Sequence, residues 1–148
     1  MFQDAIKMTG ELRITVTSPE GNVKQEVVVP NLVVTVGKNF IASRMKDATA
    51  TAMTHMEVGT STQAAAVGDT ALIAAVASSR VALTSTTVTT NSVAYVATFP
   101  AGTGTGALTE AGIFNAASAG TMLCRTVFSV INKGAADTLG ITWTVTVN

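Results

Sequence analysis

The segment Glu11-Leu12-Arg13-Ile14-Thr15-Val16-Thr17 alternates polar and apolar side chains with period two. Successive side chains of a strand point to opposite sides, so this pattern reads as a strand with one buried face. Ser18-Pro19-Glu20-Gly21-Asn22 follows, with proline and glycine placed for a tight turn. Val23 to Val29 then resumes strand composition, so Gly10 to Val29 reads as a β-hairpin that Pro30-Asn31 ends, and Leu32-Val33-Val34 is a further short extended run.

Between Val36 and Asp47 the pattern changes, because Phe40, Ile41, Arg44 and Met45 follow helical spacing and Gly37-Lys38-Asn39 can form the start. A second short helix is expected from Asp69 to Val76, with Asp69 capping a run of good helix formers. His55 to Gly59 reads as a strand leading into the polar loop Thr60-Ser61-Thr62-Gln63. From Arg80 onward valine, threonine, tyrosine and phenylalanine dominate, as they do on a pleated, half-buried surface. Val81 to Ser85 and Val93 to Phe99 are expected to pair across Thr90-Asn91-Ser92, followed by strands at Ala111–Phe114, Met122–Phe128 and Ile141–Val147. The expectation is therefore a mainly β chain of seven or eight strands, an antiparallel β-sandwich or barrel with one or two short helices. At 148 residues there is room for one domain, taken as residues 10–148, with residues 1–9 as an N-terminal arm.

Only 12% of the residues are charged, against roughly 25% in ordinary soluble domains. A small monomer hydrates its surface with charged groups, so this deficit implies that part of the surface is covered by other protein subunits. Nine basic residues are spread among nine acids, and counterion release at a phosphate backbone needs clustered cations, so no nucleic-acid partner is expected. No segment approaches the ~20 apolar residues of a membrane span, nor does Met1-Phe2-Gln3-Asp4 resemble a secretory signal, so no membrane partner and a cytoplasmic site of synthesis are expected. Cys124 has no partner for a disulfide, and in the apolar run Met122-Leu123-Cys124 it reads as a buried thiol.

Residues that could carry chemistry are few. Gly102-Thr103-Gly104-Thr105-Gly106 lacks the lysine and the following helix of a phosphate loop, and reads as a flexible hairpin loop. His55 is the single histidine and has no neighbouring ligands in sequence, so neither a metal site nor a serine triad takes shape around it. Glu57 and Glu110 are the two acids beside expected strands, and Glu110 is read as pairing with a basic group such as Arg80 or accepting backbone hydrogen bonds. Trp143 and Tyr95 fall in strands, where burial is their expected fate. The expectation is a non-enzymatic chain with no cofactor.

The order of several short segments resembles a family of small virion proteins of tailed bacteriophages. These are Asn31-Leu32-Val33-Val34 leading to Gly37-Lys38-Asn39, Met56-Glu57-Val58-Gly59-Thr60, Gly68-Asp69-Thr70-Ala71-Leu72, Arg80 before a strand, Leu108-Thr109-Glu110-Ala111-Gly112-Ile113-Phe114-Asn115, and the stretch from Lys133 to Leu139. The resemblance implies a particle component: a capsid cement (decoration) protein that clamps major capsid protein subunits, or a part of the tail, fibre or baseplate. For the cement reading it further implies a jelly-roll-like sandwich acting as a symmetric oligomer, with a homodimer favoured. A carbohydrate-binding module for host attachment is a third reading. The Gly10–Val29 hairpin is the first candidate for the capsid contact, through its alternating residues Leu12, Ile14, Val16, Val27 and Val29. Phe2, Ile6 and Met8 ahead of it are candidate apolar anchors.

Overall fold

The computed structural model describes residues 5–46 and 50–148. Among them the elements in chain order are β1 (Met8–Thr17), β2 (Val23–Pro30), β3 (Leu32–Val33), α1 (Thr35–Arg44), β4 (His55–Gly59), β5 (Val81–Ala82), β6 (Ser85–Thr89), β7 (Ser92–Phe99), β8 (Gly106–Phe114), β9 (Met122–Lys133) and β10 (Thr138–Val147). They form two five-stranded antiparallel sheets, β2-β1-β10-β7-β6 and β3-β9-β8-β4-β5, packed as a β-sandwich. The two ends of the chain pair with each other: β1 runs beside β10 in one sheet and β3 beside β9 in the other.

The inner faces follow from the alternation. Leu12, Ile14 and Val16 of β1 lie opposite Trp143, Ile141 and Leu139 of β10, and all six are buried. Tyr95, Ala97 and Phe99 of β7 continue this face, and Met56, Val58, Ala111, Ile113, Cys124 and Phe128 face it from the second sheet. Burying this apolar area is the main stabilisation of the sandwich, at about 25 cal/mol per Å² removed from water.

Several expectations are corrected here. Leu12, Ile14 and Val16 are core of this chain, because β1 lies between β2 and β10 and its apolar face meets the second sheet. They have no surface to offer a partner. Asp69 to Val76 is not helical; its backbone is drawn into other bonds, with Ile73 and Ala74 donating to a side chain of the sheet and Ala75 bridging to Gly59. Tertiary partners outweigh the helix propensity of this alanine-rich run. The run Val81–Ser85 is split between the sheets: β5 pairs with β4, whereas β6 pairs with β7. The crossing occurs at Leu83 and Thr84, whose N–H groups donate to Thr54 and Val96 respectively. The glycine-rich segment is likewise a crossover from β7 in one sheet to β8 in the other. Gly102 and Gly104 there hold positive φ, +81° and +63°. Helix α1 begins at Thr35, which places Gly37 inside its first turn; a side chain there would collide with the carbonyl of Leu123, so the glycine lets α1 lie directly on β9.

Candidate interaction surface

The twenty residues from Thr60 to Ser79 contain a single ionisable side chain, Asp69. They form no strand or helix, yet loops longer than about 12–15 residues without secondary structure are uncommon in compact domains and are usually functional. This one is held against the outer face of the β3-β9-β8-β4-β5 sheet by groups that the sheet supplies.

The sheet is prepared for it by an irregularity. The register between β8 and β9 shifts between Leu108 and Glu110, so Leu108 faces the inner core while Glu110 turns to the outer face. The Glu110 carboxylate, fully buried, accepts the N–H groups of Ala74 at 2.7 Å, Ile73 at 3.2 Å and Ser61 at 3.4 Å. Arg125 on β9 donates to it through Nε at 2.9 Å, and its Nη2 lies 2.8 Å from the same carboxylate as an ion pair. The same guanidinium reaches the loop directly, with Nη1 on Asp69 at 2.9 Å and Nη2 on the carbonyl of Gln63 at 2.9 Å. Asp69 in turn accepts the N–H of Ala66. Planar, forked donors suit a guanidinium to bridge several oxygens at once.

Around this centre the packing is close. A side chain on Gly59 would lie 2.5 Å from the Glu110 Oε1 atom and 2.6 Å from the Ala74 carbonyl, so glycine is what lets the loop approach. Leu72 packs with Val34, Phe114 and Met122 in a second small core on this outer face. Beyond Phe114, Arg80 stacks 3.7 Å from the ring centre and donates to Glu57 at 2.8 Å. The Val67 carbonyl accepts the N–H of Thr35 and so satisfies the first turn of α1, which has no side-chain cap.

With its one charge and much of its backbone directed inward, the loop presents uncharged side chains outward, polar ones at Thr60, Thr62, Gln63, Thr70 and Ser78 among small and apolar ones. Val67 is 53% exposed and Ile73 48%, and Ala64, Ala66, Ala71, Ala75 and Ala77 are exposed with them. The result is a charge-free surface on a backbone anchored by Glu110 and Arg125.

The other singled-out residues are dispersed. Ile6 is exposed, whereas Met8, Val27 and Val29 are half-buried and pack against the main core from the β1–β2 hairpin. Phe2 lies outside the described residues. Hydrogen bonds between Lys7 and Asn148 carry the β1–β10 ladder to the start of β1, so this pairing includes part of the expected N-terminal arm. His55 contacts the Thr54 hydroxyl, 2.7 Å away. Glu57 and Glu110 sit on neighbouring strands, each held by its own arginine, and Glu110 pairs with Arg125 while Arg80 takes Glu57. Cys124 is fully buried, and burial pushes its thiol pKa far up. Trp143 is buried, as is Tyr95, whose pKa burial raises to about 12.

Arg125 is the residue that sequence reasoning missed. Its signal is present: an arginine within Met122-Leu123-Cys124-Arg125-Thr126-Val127-Phe128 must either reach solvent or find a buried anion, and Glu110 stands in a similarly apolar run. Among the described residues there is no group of three or more His, Cys, Asp or Glu side chains able to hold a metal ion, and no helix is long and apolar enough to cross a membrane. No family model, curated protein or solved structure matches the chain.

Proposed function

We propose that this chain is a non-enzymatic structural protein of a tailed-bacteriophage virion, a capsid cement protein that assembles in the host cytoplasm onto the head surface and bridges major capsid protein subunits. The observation that carries this reading is the Thr60–Ser79 surface. Small uncharged side chains let a second protein approach closely without desolvating charge, and the Glu110–Arg125–Asp69 cluster fixes the backbone beforehand, so little conformational entropy is lost on docking. The order of motifs that resembles small virion proteins supplies the kind of particle. The low charge content agrees with a surface that spends its working life covered. On this reading the partners are the major capsid protein and further copies of the chain.

The test is made on virions of the phage that encodes the chain. Gold-tagged antibody against the chain is expected over the head, and the purified protein is expected to sediment with undecorated heads. The double variant Val67→Asp, Ile73→Asp should lose that binding by at least about 100-fold, since two charges would have to be desolvated in the contact. Gold confined to the tail would replace the cement reading with a fibre or baseplate part.

A further inference from the structure

The four sheet edges of the sandwich are not alike. β3 and β5 present two residues each. β2 is engaged: Gln25 bonds to the Val130 carbonyl and the Asn132 N–H of β9, Lys24 pairs with Asp137, Glu26 pairs with Arg13, and Pro30 ends the strand. Natural edge strands are commonly blunted by charge, proline, brevity or cover. β6 has none of these. Its five residues, Ser85-Thr86-Thr87-Val88-Thr89, are all exposed, carry no charge and contain no proline or glycine.

We propose that β6 is a self-association edge, pairing antiparallel with β6 of a second copy about a two-fold axis at Thr87 and joining the two five-stranded sheets into one. The backbone direction fits. Thr90 and Asn91 form a two-residue turn, which makes Thr89 and Ser92 the first hydrogen-bonded pair and Thr87 and Ala94 the next. The N–H and C=O groups of Thr86 and Val88 then point away from β7. With the axis at Thr87, Thr86 of each copy lies opposite Val88 of the other, and these two pairs exchange four backbone hydrogen bonds.

The side chains explain why the occupant is a second copy. In an isologous pairing every residue near the axis meets its own kind or a close neighbour, so any charge there would face the same charge. β6 places Thr87 against Thr87 and β-branched Thr86 against β-branched Val88, pairs that are favourable across antiparallel strands. Val88 is the apolar residue of the strand and is 71% exposed in the single chain; the neighbouring Thr86 would cover part of it. A five-residue strand is about 17 Å long, and such an edge alone buries less than the ~1,000 Å² of a stable interface. The dimer is accordingly weak, with a dissociation constant on the order of 10–100 µM, and gains where copies are held side by side.

Sedimentation velocity on the full chain from about 5 to about 500 µM reads the equilibrium directly. The wild type should pass from monomer to dimer across this range. Val88→Pro removes an outward N–H without touching the β6–β7 ladder, and Val88→Lys puts like-charged side chains at diagonal positions of the new pair, about 7–8 Å apart at the backbone. Each should weaken association at least ~10-fold, while Val28→Lys on β2 leaves it unchanged. Circular dichroism checks the fold; if Val88→Pro does not fold, Val88→Lys decides, because it keeps the backbone N–H and replaces a solvent-facing side chain. A wild type that stays monomeric throughout, or a dimer that the folded β6 variants leave intact, would overturn the proposal. The β6 pairing supplies a geometry for the copy-to-copy contact that the cement reading calls for, but is argued from the sheet edge alone: a monomeric Val88→Lys variant that still sediments with heads would overturn neither the fold nor head binding and would separate the two.

Discussion

Thr142, Thr144 and Thr146 of β10 stand on the outer face of one sheet, with Arg13, Glu11 and Thr9 of β1 opposite them and Val96, Ala94 and Ser92 of β7 on the other side. Glu110, Gly112 and Phe114 of β8 stand on the outer face of the other sheet, with Gly59 and Glu57 of β4 and Arg125 of β9 as neighbours. The first face is left open by this chain, with hydroxyls and a few charges to hydrate it. The second is covered by the Thr60–Ser79 loop, and Glu110 and Arg125 are consequently buried. A strand covered on both faces loses its alternation: β8 is buried continuously from Leu108 to Phe114, whereas β10 alternates along much of its length. The lesson is that the charges of this chain are spent differently on its two sides. On the open face they meet solvent; on the covered face they position backbone.

Breaking the buried pair should give the largest effect. Arg125→Ala leaves the Glu110 carboxylate buried with its countercharge removed, and is expected to cost about 3–5 kcal/mol in urea unfolding. The same variant should open the loop to limited proteolysis between Thr60 and Ser79. If it proves as mild as an open-face substitution, the loop is not held by this cluster. Next in size is Gly59→Ala, whose methyl would press on Glu110 and Ala74; the expected loss is about 1–3 kcal/mol by thermal unfolding.

A smaller contribution is read through pH. Asp137 accepts Lys24 Nζ and the Gly134 N–H, both at 2.8 Å, and these hold its carboxyl below the usual carboxylate range. A folded-state value below the unfolded one adds stability that is present above the unfolded pKa and is lost as pH falls through the folded pKa. The stability difference between wild type and Asp137→Asn should therefore be level between about pH 5 and 8 and shrink below about pH 4. A difference that persists unchanged into acid would show that the carboxylate charge plays no part. Smallest of all is Thr142→Ala on the open face, expected within about 0.5 kcal/mol of wild type in the same urea titration. A larger loss there would mean that the threonine face is itself a structured surface.

The alternation at Glu11–Thr17 is enough to make β1 a strand, and the turn residues at Ser18–Asn22 are enough to return it as β2. The same local reading locates α1 and β10 to within a few residues. It also anticipates the burial of Trp143 and Cys124. It fails where one residue must choose between two environments. Leu12, Ile14 and Val16 have the same alternation whether their face meets a second sheet of this chain or another subunit, since burial looks alike from inside a strand. Asp69 has the chemistry of a helix cap and is used instead as an anion for Arg125, 56 positions away in sequence. Val81 and Ser85 lie within one expected strand and belong to opposite sheets.

The sequence by itself determined that this is a charge-poor, antiparallel β protein, because period two and turn chemistry act over a few neighbouring residues. Only the tertiary structure decided that Glu110, Arg125 and Asp69 meet, that Thr60–Ser79 becomes a fixed charge-free surface, and that β6 is left as the unprotected edge. Those outcomes depend on strand order and on which backbone groups remain unpaired once the sheets close, and both are set by contacts between segments far apart along the chain.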